Sequence, residues 1–226
     1  MSAQTELTSQ LREIAEQSIL QEEPYPVVAP ASVEDATAMI RAARDHSFRV
    51  MVLGSGSSFP EDFSLHRSNV MAVLSVKLTG MEPLSPFTVR VYCGTPAAAL
   101  FENAENLPRR TLGGLLCSIY RSGEESVLSN LWPRIRQLQV ITGLGELHHL
   151  AGPAGFQAYD CGAANVLLGS RGRLGMITAA ELLCPFPIVE RNQDGDSLRA
   201  AYGSGETSIS RTDLQPLFDS SGLFQW

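Results

Sequence analysis

The sequence predicts an α+β fold, on three observations. A short apolar run, an amphipathic helical stretch and a second apolar run follow one another over residues 25–53, the order of a βαβ start. Two later runs, "RQLQVIT" and "GELHHLAG", are joined by a glycine turn at 143–145 and read as an antiparallel pair. The composition is that of a globular chain: 226 residues, 44% hydrophobic and 18% charged. A chain of that length buries roughly 70% of the surface its unfolded form exposes, so the fold needs no disulfide or metal staple.

Each element follows from its own pattern. Leu7, Leu11, Ile14, Ala15 and Ile19 recur at helical spacing and predict an amphipathic helix over 5–21. "YPVVAP" reads as a short strand closed by Pro30. In "SVEDATAMIRAARDHS", Ser32 is the cap, Asp35 stands three places on as in a capping box, and Val33, Ala36, Met39, Ile40 and Ala43 form the apolar stripe. This helix ends near His46, and "RVMVL" follows as a buried strand. "NVMAVLSV" and "FTVRVYC" are further strands, after which Thr95-Pro96 predicts a helix start with threonine as cap. "TLGGLLCSIY" is an apolar helical run, and a small helix is predicted at 162–168. "MITAAELLC" is a strand stopped by Pro185 and Pro187. Residues 190–226, rich in Gly, Ser, Asp and Asn, predict surface loop with one short helix at 212–218.

Charge and cysteines exclude several classes. A net charge of −7 argues against a general nucleic-acid or anionic-membrane binder, and Lys77 is the sole lysine. Cys93, Cys117, Cys161 and Cys184 are widely spaced among apolar neighbours, which favours buried free thiols over a disulfide or metal site. Reduced cysteines fit a cytoplasmic location. The polar N-terminus offers no secretory signal, and no apolar run approaches the ~20 residues of a membrane span.

Three glycine turns carry the chemistry. The first, Gly54, Ser55, Gly56, Ser57 and Ser58, ends a buried strand. Glycine lets a ligand approach the backbone, and successive exposed amides make an anion-binding concavity. Each charge-assisted bond to a phosphate oxygen contributes about 1.5–3 kcal/mol. The turn lacks the lysine of a P-loop and the third glycine of a Rossmann fingerprint, so by itself it favours a plain loop. The second, Thr111, Leu112, Gly113 and Gly114, opens an apolar helix, where glycines serve either a ligand or close packing. The third runs Gly169, Ser170, Arg171, Gly172, Arg173, Leu174, Gly175, Met176, Ile177, and joins a polar turn directly to an apolar strand.

In this order the turns resemble the FAD-binding domain of the vanillyl-alcohol oxidase / p-cresol methylhydroxylase (PCMH-type) superfamily, most closely the FAD-binding subunit of bacterial glycolate oxidase. Residues 54–58 match its G-G-G-T-S turn, "TLGG" its T-[IVL]-G-G element, and "GSRGRLGMIT…PFP" its G-S-x-G-T-L-G-[ILM]-[IL]-T strand closed by P-x-P. "GELHHLAGPAGFQAYDC" is similar to its G-E-L strand and later Tyr159-Asp160. The resemblance covers roughly 26–188. It implies a small parallel-strand subdomain (about 26–80) and a larger antiparallel-sheet subdomain (81–188), with the cofactor between them. Residues 1–25 would then be an N-terminal helix, and 189–226 a polar tail without a substrate domain. It further implies that the amides of Gly54, Ser55, Gly56, Ser57 and Ser58 hold the FAD pyrophosphate. Thr111, Leu112, Gly113 and Gly114 would line the pyrophosphate and the flavin side. Gly169, Ser170, Gly172, Leu174 and Gly175 would bend around the cofactor, and Ile177 would offer backbone to the adenine.

The departures from the family pattern carry expectations of their own. Ser57 stands where covalent members have histidine, which implies noncovalent FAD. Trp132-Pro133 replaces the usual Arg-Asp, and Arg171 and Arg173 are expected to reach solvent. His66, His148 and His149 lie outside the motifs, and the pair at 148–149 reads as structural. No catalytic set and no metal site present themselves. The sequence therefore predicts an FAD subunit of a flavoprotein oxidoreductase oxidising glycolate or a similar 2-hydroxy acid. It would act with a larger flavoprotein subunit and an iron–sulfur subunit, without nucleic acid or a direct membrane span. The alternatives are a flavin-free or inactive module kept for assembly or regulation, and a stand-alone flavin carrier.

Overall fold

The computed structural model describes residues 2–56, 69–100, 110–117, 131–155 and 161–183, with the side chains of 161–163 excepted. Two sheets organise it. The first has the order β1-β2-β4-β3, built from β1 (Ile19–Gln21), β2 (Val27–Val28), β3 (Arg49–Leu53) and β4 (Val70–Leu74). β2, β4 and β3 run parallel and β1 antiparallel. The second sheet has the order β5-β6-β9-β7-β8, from β5 (Met81–Ser85), β6 (Thr88–Tyr92), β7 (Ile135–Ile141), β8 (Leu147–Ala151) and β9 (Met176–Leu183). Every pairing in it is antiparallel. The expected architecture, a small parallel sheet beside a larger antiparallel one, is present.

Helix α1 (Ala3–Ala15) is shorter than the predicted 5–21. After Ala15 a 3-10 turn, Glu16–Ser18, redirects the chain so that Ile19 enters β1. A helix continued to residue 21 would have left the edge of β2 without its partner. Helix α2 (Val33–Asp45) forms as the pattern demands: the Ser32 hydroxyl accepts from the Asp35 amide, and Ala36, Met39, Ile40 and Ala43 are buried. Together with Leu7 and Leu11 of α1 they pack on Val50, Met71 and Val73 of the parallel sheet.

Strand β5, "MEPLS", was not apparent in the sequence. It is an exposed edge strand, which tolerates Pro83 because its outer side needs no amide donor. Residues 95–96 open only a 3-10 turn, Ala97–Ala99, rather than the predicted helix. Thr95 does not cap it; its hydroxyl accepts from the Gly80 amide and donates to the Gly80 carbonyl, tying the two chain reversals together. Helix α3 (Leu112–Cys117) and helix α4 (Cys161–Leu167) are both short. Leu112, Leu115 and Leu116 of α3, with Ala164 and Leu167 of α4, cover Val91, Leu138, Val140 and Ala180 on one face of the antiparallel sheet.

The two sheets share a seam. Ile141 and Met176, at matching ends of β7 and β9, are buried in the core of the first sheet. Arg41 of α2 donates to the Gly145 carbonyl and Arg44 to that of Leu144 (2.8 and 2.7 Å), fastening α2 to the β7–β8 turn. Gly94 touches the Ser75 and Leu78 carbonyls so closely that any side chain there would collide with backbone.

Candidate functional site

The first turn is built at the carboxyl end of β3, where the parallel sheet meets the antiparallel one. Gly54 lies directly against the start of α3. A Cβ at Gly54 would sit 2.7 Å from Thr111 Oγ1 and 3.2 Å from the Gly114 Cα. Only glycine allows that approach. Gly56 has a left-handed φ of +76°, and a Cβ there would meet none of the described residues within 4 Å. Among the described residues no backbone hydrogen bond engages Gly54 or Gly56. Ser57 and Ser58 lie outside the described residues.

The second turn caps α3. The Gly114 amide donates to Thr111 Oγ1 (3.1 Å), that of Leu112 to the Thr95 carbonyl (2.9 Å) and that of Gly113 to the Cys93 carbonyl (2.9 Å). All the early donors of this helix are therefore engaged within the protein. Gly113 also packs on Cys93, with 3.0 Å left for a Cβ against the Cys93 Cβ. These glycines serve close packing at the helix entry, the less specific of the two roles their sequence allows.

The third turn caps the opposite end of α3. The Gly169 amide donates to the Leu116 carbonyl (3.1 Å) and the Arg171 amide to that of Cys117 (3.2 Å), satisfying carbonyls that a helix end leaves without partners. Gly169, Arg171 and Gly172 have left-handed φ values of 61°, 55° and 74°. Arg171 and Arg173 are exposed, as expected. Ser170 is buried, and its hydroxyl makes no well-formed bond to oxygen or nitrogen; its polar neighbour is the Cys117 thiol. Burial pushes that thiol up to about 11, opposed by the Gly172 amide and the Ser170 hydroxyl. Cys93 is pushed up further by burial, with proximity to Cys117 adding to it.

The structure thus brings Gly54 onto Thr111 and Gly114, and sets the third turn at the other end of α3, a rise of about 9 Å away. Gly175 packs on Val140 and Ile141 of β7, and Ile177 pairs with Val140. Cys93 accepts from Gly113 and donates to the Thr178 carbonyl, so one residue links the α3 entry to the head of β9. Tyr159, Asp160, His66, Cys184, Pro185, Pro187 and the 190–226 region lie outside the described residues. His148 and His149 are both exposed, bonded to Glu146 and Gln137. Among the described residues no cluster of three or more His, Cys, Asp or Glu could hold a metal ion, and no helix is long and apolar enough to cross a membrane.

Sequence reasoning missed a polar row on the other face of the antiparallel sheet. The Arg90 guanidinium bonds Glu82 (3.0 Å) and Glu181 (2.9 Å). Its hydrogen bond to Glu181 raises the guanidinium's proton affinity, against the effect of burial. Arg90, Gln139 and Glu181 are polar positions in otherwise apolar strands, a signal that strand alternation carries.

A small parallel sheet beside a larger antiparallel sheet, with Gly54 at the end of β3 facing Gly114 at the entry of α3, is the two-subdomain α+β fold of the PCMH type. The family of FAD binding domains matches residues 24–151, over half of the 226, and the chain belongs to it. Its cofactor is FAD. Among solved structures the chain is similar to alkyldihydroxyacetonephosphate synthase in two crystal forms. One shows 18% identity over 70% of this chain and 33% of that one, with a TM-score of 0.54. The other shows 19% identity over 70% and 31%, also with a TM-score of 0.54. At such identity the likeness concerns the fold. The chain spans about a third of the length of those structures. No curated protein matches it.

The residues present fit the cofactor. Gly54 admits no side chain, Gly56 adopts a conformation few other residues hold, and no described residue stands within 4 Å of a Cβ placed there. Backbone that must stay bare beside open space is what a diphosphate requires of a turn.

Proposed function

We propose that the chain is the noncovalent FAD-binding part of a cytoplasmic flavoprotein oxidoreductase that oxidises glycolate or a similar 2-hydroxy acid. Gly54, Ser55 and Gly56, continued by Ser57 and Ser58, cradle the pyrophosphate with backbone amides. Thr111, Leu112, Gly113 and Gly114 contribute by close contact and by the Thr111 hydroxyl, since their amides hold the protein itself together. Gly169, Ser170, Gly172, Leu174 and Gly175 shape the far wall, and Ile177 presents backbone to the adenine. Ser57 in place of histidine leaves no covalent link to the ring. When bound, the flavin ring carries the electrons, and the protein's part is binding, orientation and electrostatics.

The base that takes the hydroxyl proton, and the cations that hold a substrate carboxylate, come from partners: a larger flavoprotein subunit and an iron–sulfur subunit. Within this reading, residues 26–80 and 81–188 form the two halves of the binding domain. The observation that carries the proposal is Gly54 packed on Gly114, with Gly56 beside them in a left-handed conformation and no described residue within 4 Å of a Cβ there. The purified chain should be yellow, and acid should release intact FAD. Glycolate should bleach the flavin anaerobically only after partner subunits are added. A yellow chain that no partner and no 2-hydroxy acid ever reduces would instead be an inactive module kept for assembly.

A further inference from the structure

A cavity of about 350 Å³ opens between the N-terminus of α2 and the face of the antiparallel sheet turned away from α3. None of the three glycine turns lines it. Its floor is Gln139, flanked by Arg90 and Tyr92; Val33 and Leu78 form apolar walls, and Leu147 stands at the mouth. Gln139 is 8% exposed, yet its carboxamide has no hydrogen-bond partner among the described residues. The carboxamide is thus left to pair with water or with a ligand that enters the cavity. The entry of α2 offers donors at the same place. Ser32 engages the Asp35 and Ala36 amides, while those of Val33 and Glu34 have no acceptor among the described residues.

Charge decides the class of ligand. One guanidinium, Arg90, is already held by Glu82 and Glu181, and Glu34 stands at the rim. Three carboxylates against one cation repel an anion despite the helix N-terminus, whose partial charge is about half a unit. What remains is an uncharged ring for the apolar walls, with a donor and an acceptor side by side to match a carboxamide. We propose that this cavity binds an uncharged ring bearing a lactam edge, an N–H next to a C=O as in a pyrimidine base, with the Gln139 carboxamide as its two-point partner. The volume lies in the range of small-molecule sites.

The test titrates uracil into the FAD-loaded protein by calorimetry, following flavin absorbance throughout. Expected are saturable millimolar binding without flavin release, weakening of about tenfold in Gln139→Leu, and no binding of 1,3-dimethyluracil, whose edge N–H is blocked. Leu147→Trp, a change at the exposed mouth, should abolish binding even if Gln139→Leu fails to fold. Absence of uracil binding up to its solubility would overturn the proposal. So would undiminished binding to either folded variant, equal binding of the dimethyl compound, benzoate binding in preference to uracil, or displacement of FAD. A chain that takes no FAD would defeat the preceding reading, while the uracil titration would still decide this one.

Discussion

The first glycine turn and the glycines at the entry of α3 touch one another, yet they use the same residue type for opposite ends. At Thr111, Gly113 and Gly114 the backbone donors close on protein acceptors, and glycine allows Cys93 and Gly54 to pack closely. At Gly54 and Gly56 no such closure occurs among the described residues, and none of them comes within 4 Å of a Cβ placed at Gly56. The difference teaches that a glycine-rich turn becomes a binding turn by what its amides are not already doing. One turn is closed by protein acceptors, and the other, on the function proposed above, meets the cofactor.

Substitution at Gly54 should break this arrangement most severely. Gly54→Val drives a branched side chain into Thr111 and the Gly114 backbone, and the chain should lose bound FAD entirely along with about 2–4 kcal/mol of stability. Flavin absorbance after gel filtration and a melting curve read both effects; a yellow, fully stable variant would refute the close packing. Gly56→Ala is the contrasting case. It meets none of the described residues but holds a left-handed backbone, so a loss of about 1–2 kcal/mol is expected, with FAD weakened roughly tenfold.

Thr111→Ala sharpens the comparison from the other side. Loss of the cap should cost about 1 kcal/mol, with Thr111→Ser restoring most of it and retaining FAD. If Thr111→Ala left stability unchanged while abolishing FAD binding, the second turn would be a ligand turn after all.

The smallest effect concerns the third turn, which packs on Cys117. A thiol whose folded value is raised to about 11 from 9.0 adds stability that is complete below pH 9 and is lost as pH rises toward 11. In Cys117→Ala the decline in melting temperature between pH 9 and 11 should be shallower than in the parent. Identical slopes would mean the thiol is not held neutral by its surroundings.

Much of this was legible in the sequence because it rests on local chemistry. Ser32 capping α2, the β7–β8 pair about its glycine turn, and the apolar strand after "GSRGRLG" each follow from spacing within a dozen residues. The exposure of Arg171 and Arg173 was likewise foreseen. The helix expected at Thr95-Pro96 failed because Gly80, fifteen positions earlier, takes the threonine hydroxyl. The strand over 81–85 escaped notice because its residues are exposed on both faces and carry no alternation. The cavity beside Gln139 needs three strands and a helix brought together before it exists.

Sequence alone determined the identity of the turns and their order, since positive φ and close approach are demands that glycine meets within its own few residues. Tertiary structure alone decided which turn remains open. Whether an amide is free depends on carbonyls such as those of Cys93, Thr95, Leu116 and Cys117, delivered by other segments, and no local pattern encodes where they arrive.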